Sequence, residues 1–312
     1  MFILDGSVLP SPMSPLEKTA RKLRKDFRSC VARMDDGRDL SARNVHRLRA
    51  TIRRVEALVG FTQPDLTGKR RQTLLDLDSL RKRAGKVRDL DVQMGLLGAL
   101  ASGSAGADRR ALLQALSHRR QRQVSRLIAA LGKVNKQKFF ARVERLTENA
   151  RSNTASVTAG PVKAFPVNHG PLESAVGGVR QLARRQTGDK TLKPRKLHQV
   201  RIALKKLRYV AELAADSPQQ QRFLGELKPV QKAIGEWHDW ESLARAAEKH
   251  FSDRINCPLL VEIHALFAAS YSAATAAVSH YLNAYRLIEP AAVPPAKPPK
   301  SAPSASALAR TA

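Results

Sequence analysis

The stretch Asn44 to Glu56, NVHRLRATIRRVE, returns as Lys196 to Arg208, KLHQVRIALKKLR, with apolar and basic positions in the same order. A chain that writes one helix twice is constrained to build two like units. In the first copy Val45, Leu48, Ile52, Val55 and Val59 recur at steps of three and four, which gathers them into one apolar stripe of an α-helix. Leu197, Val200, Leu204 and Leu207 repeat that stripe. At about 100° of turn per residue, His46, Arg49 and Arg53 fall together on a flank beside it, and His198, Arg201, Lys205 and Arg208 do the same in the second copy. A second landmark follows in the same order: LRKRAGKVRDL from Leu80 to Leu90 aligns with VQKAIGEWHDW from Val230 to Trp240. Two landmarks repeated in sequence imply two half-domains.

The segments VHxLRxxIRR and LHxxRxxLKKLRY, each followed by G-x-(V/W)-x-D-(L/W), resemble the CHAD domain, the conserved histidine α-helical domain. The resemblance runs from roughly Leu16 to Glu289. It implies two helical bundles related by pseudo-twofold symmetry, with basic residues and the histidines lining a shared surface that binds inorganic polyphosphate. The second copy departs from the first where His238-Asp239-Trp240-Glu241 stands against Arg88-Asp89-Leu90-Asp91.

Taken from the residues alone, the basic flank admits three readings. A solvated face explains most charge runs, but it need not place His and then a base at +3 and again at +7 and +8 on the same side of the stripe in both copies. Metal binding by His46 and His198 lacks a His, Cys or carboxylate partner at helical spacing on either helix. An extended polyanion fits better, because side chains three or four residues apart on a helix lie roughly 5 to 6 Å apart and can each meet a different phosphate. Arginine supplies a planar two-pronged donor and lysine a mobile point charge. Histidines within such a surface make binding tighten as pH falls through the neutral region.

Composition sets the same direction. The 312-residue chain carries 55 Lys and Arg against 27 Asp and Glu, a formal charge of +28, far beyond what solubility needs. Its 43% apolar content is enough for a sizeable core. Two cysteines support neither a disulfide framework nor a cysteine metal cluster, and a reducing cytoplasm is the natural expectation. No run approaches about 20 uninterrupted apolar residues, so no membrane span is expected. Nor does the sequence hold a phosphate-cradling glycine loop, an H-E-x-x-H motif or a carboxylate cluster for catalytic metals, which speaks against an enzyme and against a cofactor.

In chain order, residues 1–14 read as a flexible leader and 15–150 as the first helical half. Residues 151–170 read as a connector of Ser, Thr, Gly and Pro, 171–289 as the second half, and 290–312 as a disordered Pro/Ala/Ser tail. Strand alternation is missing, so the expected class is all-α, two duplicated four-helix-like units. The first helix spans Leu16 to Met34 and places Arg24 and Arg28 on its flank; Arg180 and Arg184 match them in the second half. Ser41 is the expected N-cap of the next helix. A third helix is expected from Leu66 to Ala84, with Gly85 marking a turn or close packing and Asp89 and Asp91 opening a fourth, where carboxylates favour a helix start. The second half is read alike, with one helix through Ile234 and another beginning near Asp239.

The expected function is non-catalytic capture of polyphosphate, with polyphosphate granules as the associated location. The surface comprises Arg24, Arg28, His46, Arg49, Arg53 and Arg54 on one side and Arg180, Arg184, His198, Arg201, Lys205, Lys206 and Arg208 on the other. Arg54 and Lys206 point furthest from the flank. Charge alone equally suits a nonspecific nucleic-acid binder, but aromatic residues are only 5% and no helix-turn-helix or zinc-finger pattern stands out. Docking on anionic membranes is disfavoured, since the basic helices spend their apolar stripe on the core.

Overall fold

The computed structural model describes residues 13–34, 37, 39–63, 66–100, 106–133, 136–148, 170–185, 192–254 and 256–287. The expected leader, connector and tail lie outside these apart from Met13, Ser14 and Gly170. The described residues form helices only: α1 (Pro15–Met34), α2 (Ala42–Thr62), α3 (Gly68–Ala99), α4 (Gly106–Gly132), α5 (Lys136–Glu148), α6 (Pro171–Arg185), α7 (Pro194–Ala211), α8 (Pro218–His250) and α9 (Pro258–Leu287).

Local chemistry fixes where several of them start. Ser14 and Glu17 form a reciprocal box at the head of α1: the Ser14 amide donates to the Glu17 carboxylate at 2.9 Å and the Glu17 amide to the Ser14 hydroxyl at 3.2 Å. Ser41 caps α2 as its sequence position suggests, accepting from the Asn44 amide at 3.3 Å. Gly37, at φ 74°, supplies the left-handed residue between α1 and α2. The buried Asn44 side chain then ties these helices together by donating to the carbonyls of Cys30 and Asp39.

Three apolar cores organise the packing. The first joins Leu23 and Phe27 of α1, Leu48, Ile52 and Val59 of α2, and Leu77 and Leu80 of α3 with parts of α4 and α5. In the second, Val179 of α6, Leu197, Val200 and Leu204 of α7, and Leu227 and Trp237 of α8 meet Val278 and Leu282 of α9. The third is shared: Leu90 and Leu97 of α3 and Leu116 of α4 pack with Leu243 and Ala247 of α8 and Leu259 and Ile263 of α9. A buried Gln93 amide on α3 crosses to Ser242 of α8, 3.2 Å from its carbonyl and 2.7 Å from its hydroxyl.

The long helices α3 and α8 correct an expectation. Neither breaks at its glycine; each runs on, its first part in its own bundle and its second part in the shared core. Gly85 lies buried within α3 because the Arg49 side chain passes over it, and a Cβ there would stand 3.4 Å from Arg49 Nε. Close packing, the second of the two readings, is therefore its role. The expected helix starts at Asp89, Asp91 and Asp239 are accordingly mid-helix positions. Asp91 is paired with Arg120 of α4. In α8 even Pro229 stays within the helix, despite the amide donor it removes.

By length and composition α9 is long and apolar enough to cross a bilayer, from Pro258 to Arg286. One face of it, with Ala274, Val278, Tyr281 and Tyr285, is spent on the second core.

Candidate functional site

Helices α2 and α7 pack on one another, and α3 lies against α8. This juxtaposition brings the flanks of the two His helices to one place. Arg49 and Arg53 from α2 meet Arg201 and Lys205 from α7, with Arg88 and Asp89 of α3 and His238 and Asp239 of α8 around them. The apolar stripes explain the placement. Val45, Leu48, Ile52 and Val55 are fully buried in one core and Leu197, Val200 and Leu204 in the other, so the residues one flank over emerge at the seam.

The four central cations are not neutralised by direct pairing. Arg49, Arg53, Arg201 and Lys205 are half-buried, yet none is held by a hydrogen bond or ion pair from another described residue. The Nε atoms of Arg49, Arg53 and Arg201 are fully buried without a partner. Burying a guanidinium donor with no acceptor costs on the order of 1 to 3 kcal/mol, more for a charged group. Arg49, Arg53 and Arg201 act on one another electrostatically, so three such unused donors belong to one cluster.

The electrostatics record that crowding. Burial first, and then the neighbouring Arg201, Arg49 and Arg53, push the Lys205 ammonium down to about 7. Burial likewise lowers Arg201 to about 10, against the opposing pull of Asp239. Arg53 is lowered by burial and by Arg49. Asp89 and Asp239 are both raised by desolvation, although Arg49 and Arg201 oppose this at the former and Arg201 and Lys205 at the latter. Arg49, Arg53, Arg88 and Arg201, with Lys205 protonated in about half the molecules at pH 7, thus outnumber Asp89 and Asp239, and the cluster is positive.

The histidines lie at the edge. His46 is exposed; desolvation, Arg88 and Arg49 hold its pKa below the usual imidazole value. His198 is also exposed, and its ring centre lies 5.7 Å from that of His238. His238 is pushed down to about 3 by burial and then by Arg201, so it is neutral near pH 7 and its 3.4 Å approach to Glu241 is not an ion pair.

Other residues expected at the surface have different settings. Glu212, the C-cap residue just past α7, accepts from Arg54 Nε at 2.8 Å and from Arg208 Nε at 2.8 Å, a clasp that joins the two His helices. Arg208 also donates to Gln231 at 3.2 Å. Arg28 turns to α5, where it pairs with Glu144 at 2.8 Å and lies 5.8 Å from the Phe140 ring centre. Arg24 reaches Thr147 of the same helix at 3.5 Å. Arg180 has a buried Nε without a hydrogen-bond partner, and its charge acts on Tyr285. Arg184 and Lys206 are exposed.

The family model for the CHAD domain matches residues 17–248. The chain belongs to the CHAD-domain family. Two solved structures are similar to it: the CHAD domain from the plant Ricinus communis and PptA from Streptomyces chartreusis. The first is 16% identical with a TM-score of 0.61, over 85% of this chain and 89% of that one. The second is 18% identical with a TM-score of 0.55, over 87% of this chain and 97% of that one. At such identities the likeness shows the fold alone. No curated protein matches the sequence.

Within this CHAD domain, sequence periodicity had found Arg49, Arg53, Arg201 and Lys205 but not the groups that α3 and α8 add to them. The signal for Arg88, Asp89, His238 and Asp239 lay in the second repeated landmark. They sit three and four residues after Gly85 and Gly235, hence about one helical turn further on the same side of an unbroken helix. Glu212 carried no such signal, since its role depends on a partner 158 positions away.

Proposed function

We propose that this CHAD domain captures inorganic polyphosphate without catalysis, through the cluster formed by Arg49, Arg53, Arg201 and Lys205 at the seam between α2 and α7. The observation that carries this reading is the set of buried, unpartnered guanidinium nitrogens on Arg49, Arg53 and Arg201. Family membership supports it, because the CHAD resemblance implies polyphosphate as ligand.

Along α2, Arg49 and Arg53 are separated by about 6 Å of helix rise, and Arg201 and Lys205 by the same on α7. Successive phosphates of a flexible chain can therefore be taken up alternately from two rails. Arg88 lengthens the positive strip, and His46 and His198 border it as hydrogen-bonding groups. Asp89 and Asp239 lower the net charge of the empty site. A ligand of high charge density offsets their repulsion more easily than one with sparse charge.

The reducing cytoplasm is the proposed compartment, and polyphosphate granules the proposed destination; the two cysteines, Cys30 and Cys257, are buried and unpaired, in keeping with that. The test is direct titration of long-chain polyphosphate into the full chain and into the variant R49Q/R53Q/R201Q/K205Q at fixed salt. The reading expects the variant to lose at least about a hundredfold in affinity, four charge-assisted contacts at well under their full value. Equal affinity in the two proteins would refute it.

A further inference from the structure

A second basic concavity lies away from the seam. The first turns of α3 and the exposed face of α5 enclose a cleft of about 840 Å³ lined by Lys69, Arg70, Lys138, Arg142 and Arg145, with Gln137 beside them and no carboxylate among its lining residues. Lys69 precedes Gly85 by sixteen positions, so along α3 the cleft stands about 24 Å from the point where Arg49 crosses that helix.

Three features make this more than a solvated charge run. It is concave, and basic residues of two helices converge on it. Its Arg142 is anchored: it lies 5.7 Å from the Phe139 ring centre and 3.7 Å from Asp76, which also accepts from the lining Gln72 at 3.0 Å, and its Nε is buried and unpartnered. The head of α3 also opens here, where Thr67 makes no side-chain cap, so its first amides add positive potential to that of the side chains. Exposed Lys69 and Arg145 beside an anchored guanidinium suit a small ligand with several adjacent charges.

We infer that this cleft is a second anion site, independent of the seam, which takes a compact group of closely spaced phosphates. Two sources offer that chemistry: the end of a polyphosphate chain, or a small multiply phosphorylated molecule. The volume lies within the usual range of small-ligand pockets, roughly 300 to 1,000 Å³.

The test uses the full chain carrying R49Q/R53Q/R201Q/K205Q, so that the seam is silent, with and without K69Q/R70Q/K138Q/R145Q. Arg142 is left in place because it packs against Phe139, and the four altered residues are exposed, so the unliganded melting temperature checks that folding is kept. Inorganic tripolyphosphate is titrated into each by calorimetry at one salt concentration. One saturable site is expected in the seam variant, weakened at least about tenfold by the cleft substitutions. No saturable site, or a change of less than about twofold, would overturn the inference. In competition, displacement of tripolyphosphate by long-chain polyphosphate alone assigns the cleft to polymer ends. Displacement by a nucleoside triphosphate as well assigns it to small phosphorylated molecules, and displacement by neither overturns it. Seam variants that lose the long chain yet keep tripolyphosphate separate this site from the seam reading.

Discussion

Replacing Lys205 with arginine tests the electrostatics of the seam in one step. In the unliganded protein the Lys205 ammonium sits at about 7 instead of its ordinary 10.5, mainly through burial and then through Arg201, Arg49 and Arg53. A bound polyanion supplies the missing counter-charge and draws the proton back on, so binding takes up a proton between about pH 7 and the ordinary lysine value. About half the molecules carry that proton at pH 7 and about one in a hundred at pH 9, so affinity should fall by roughly 50-fold across those two units. Arginine stays charged throughout. The K205R variant should therefore bind with little change between pH 7 and 9 and outbind the wild type at the upper end. The assay is polyphosphate titration in matched-salt buffers at half-unit steps. A wild-type affinity that does not change with pH, or a K205R slope equal to that of the wild type, would refute the reasoning. For the empty protein the sign is opposite: the unfolded chain binds more protons than the folded one in this window, so stability rises with pH there. Of the two histidines expected from sequence to add to the neutral-pH response, His46 is held below the usual imidazole value by burial and then by Arg88 and Arg49.

The clasp predicts a separation of stability from binding: Glu212→Gln should cost about 1 to 2 kcal/mol in chemical unfolding by weakening two charged hydrogen bonds, while polyphosphate affinity holds or rises as Arg54 and Arg208 are freed. Gly85→Ala should do the reverse. It improves helix propensity by up to about 1 kcal/mol, but its methyl group presses on Arg49 at 3.4 Å, so thermal stability should hold or rise while titration shows weaker binding. Asp239→Asn removes a negative charge facing Arg201 and Lys205, and it should tighten polyphosphate binding severalfold in the same titration.

The stripes of α2 and α7 were legible because each needs only a local pattern, and the predicted inward residues Leu48, Ile52, Leu197 and Leu204 are buried. The helix start at Ser41 followed from local chemistry too. The unbroken α3 and α8 were not legible. A glycine followed by aspartates is what a helix stop and restart looks like locally, and only the shared core of Leu90, Leu97 and Leu243 holds both helices straight through it. The same limit applies at the site. Helical angle put Arg28 on the same flank as its neighbours, but Glu144, 116 positions later, decides where it points. Unpartnered Nε atoms on Arg49, Arg53 and Arg201 are likewise a fact of three dimensions, since burial and pairing are set by helices distant in sequence.

A seam built for polyphosphate should prefer it to any other polyanion. Labelled long-chain polyphosphate bound to the full protein, challenged with duplex DNA at equal phosphate concentration and near-physiological salt, decides this, with the salt fixed because both ligands depend steeply on it. Polyphosphate should stay bound to the wild type and bind R49Q/R53Q/R201Q/K205Q at least about a hundredfold more weakly. Ready displacement by DNA, with the substituted protein binding as well as the wild type, would mean that the +28 charge acts diffusely and that the seam is not the site.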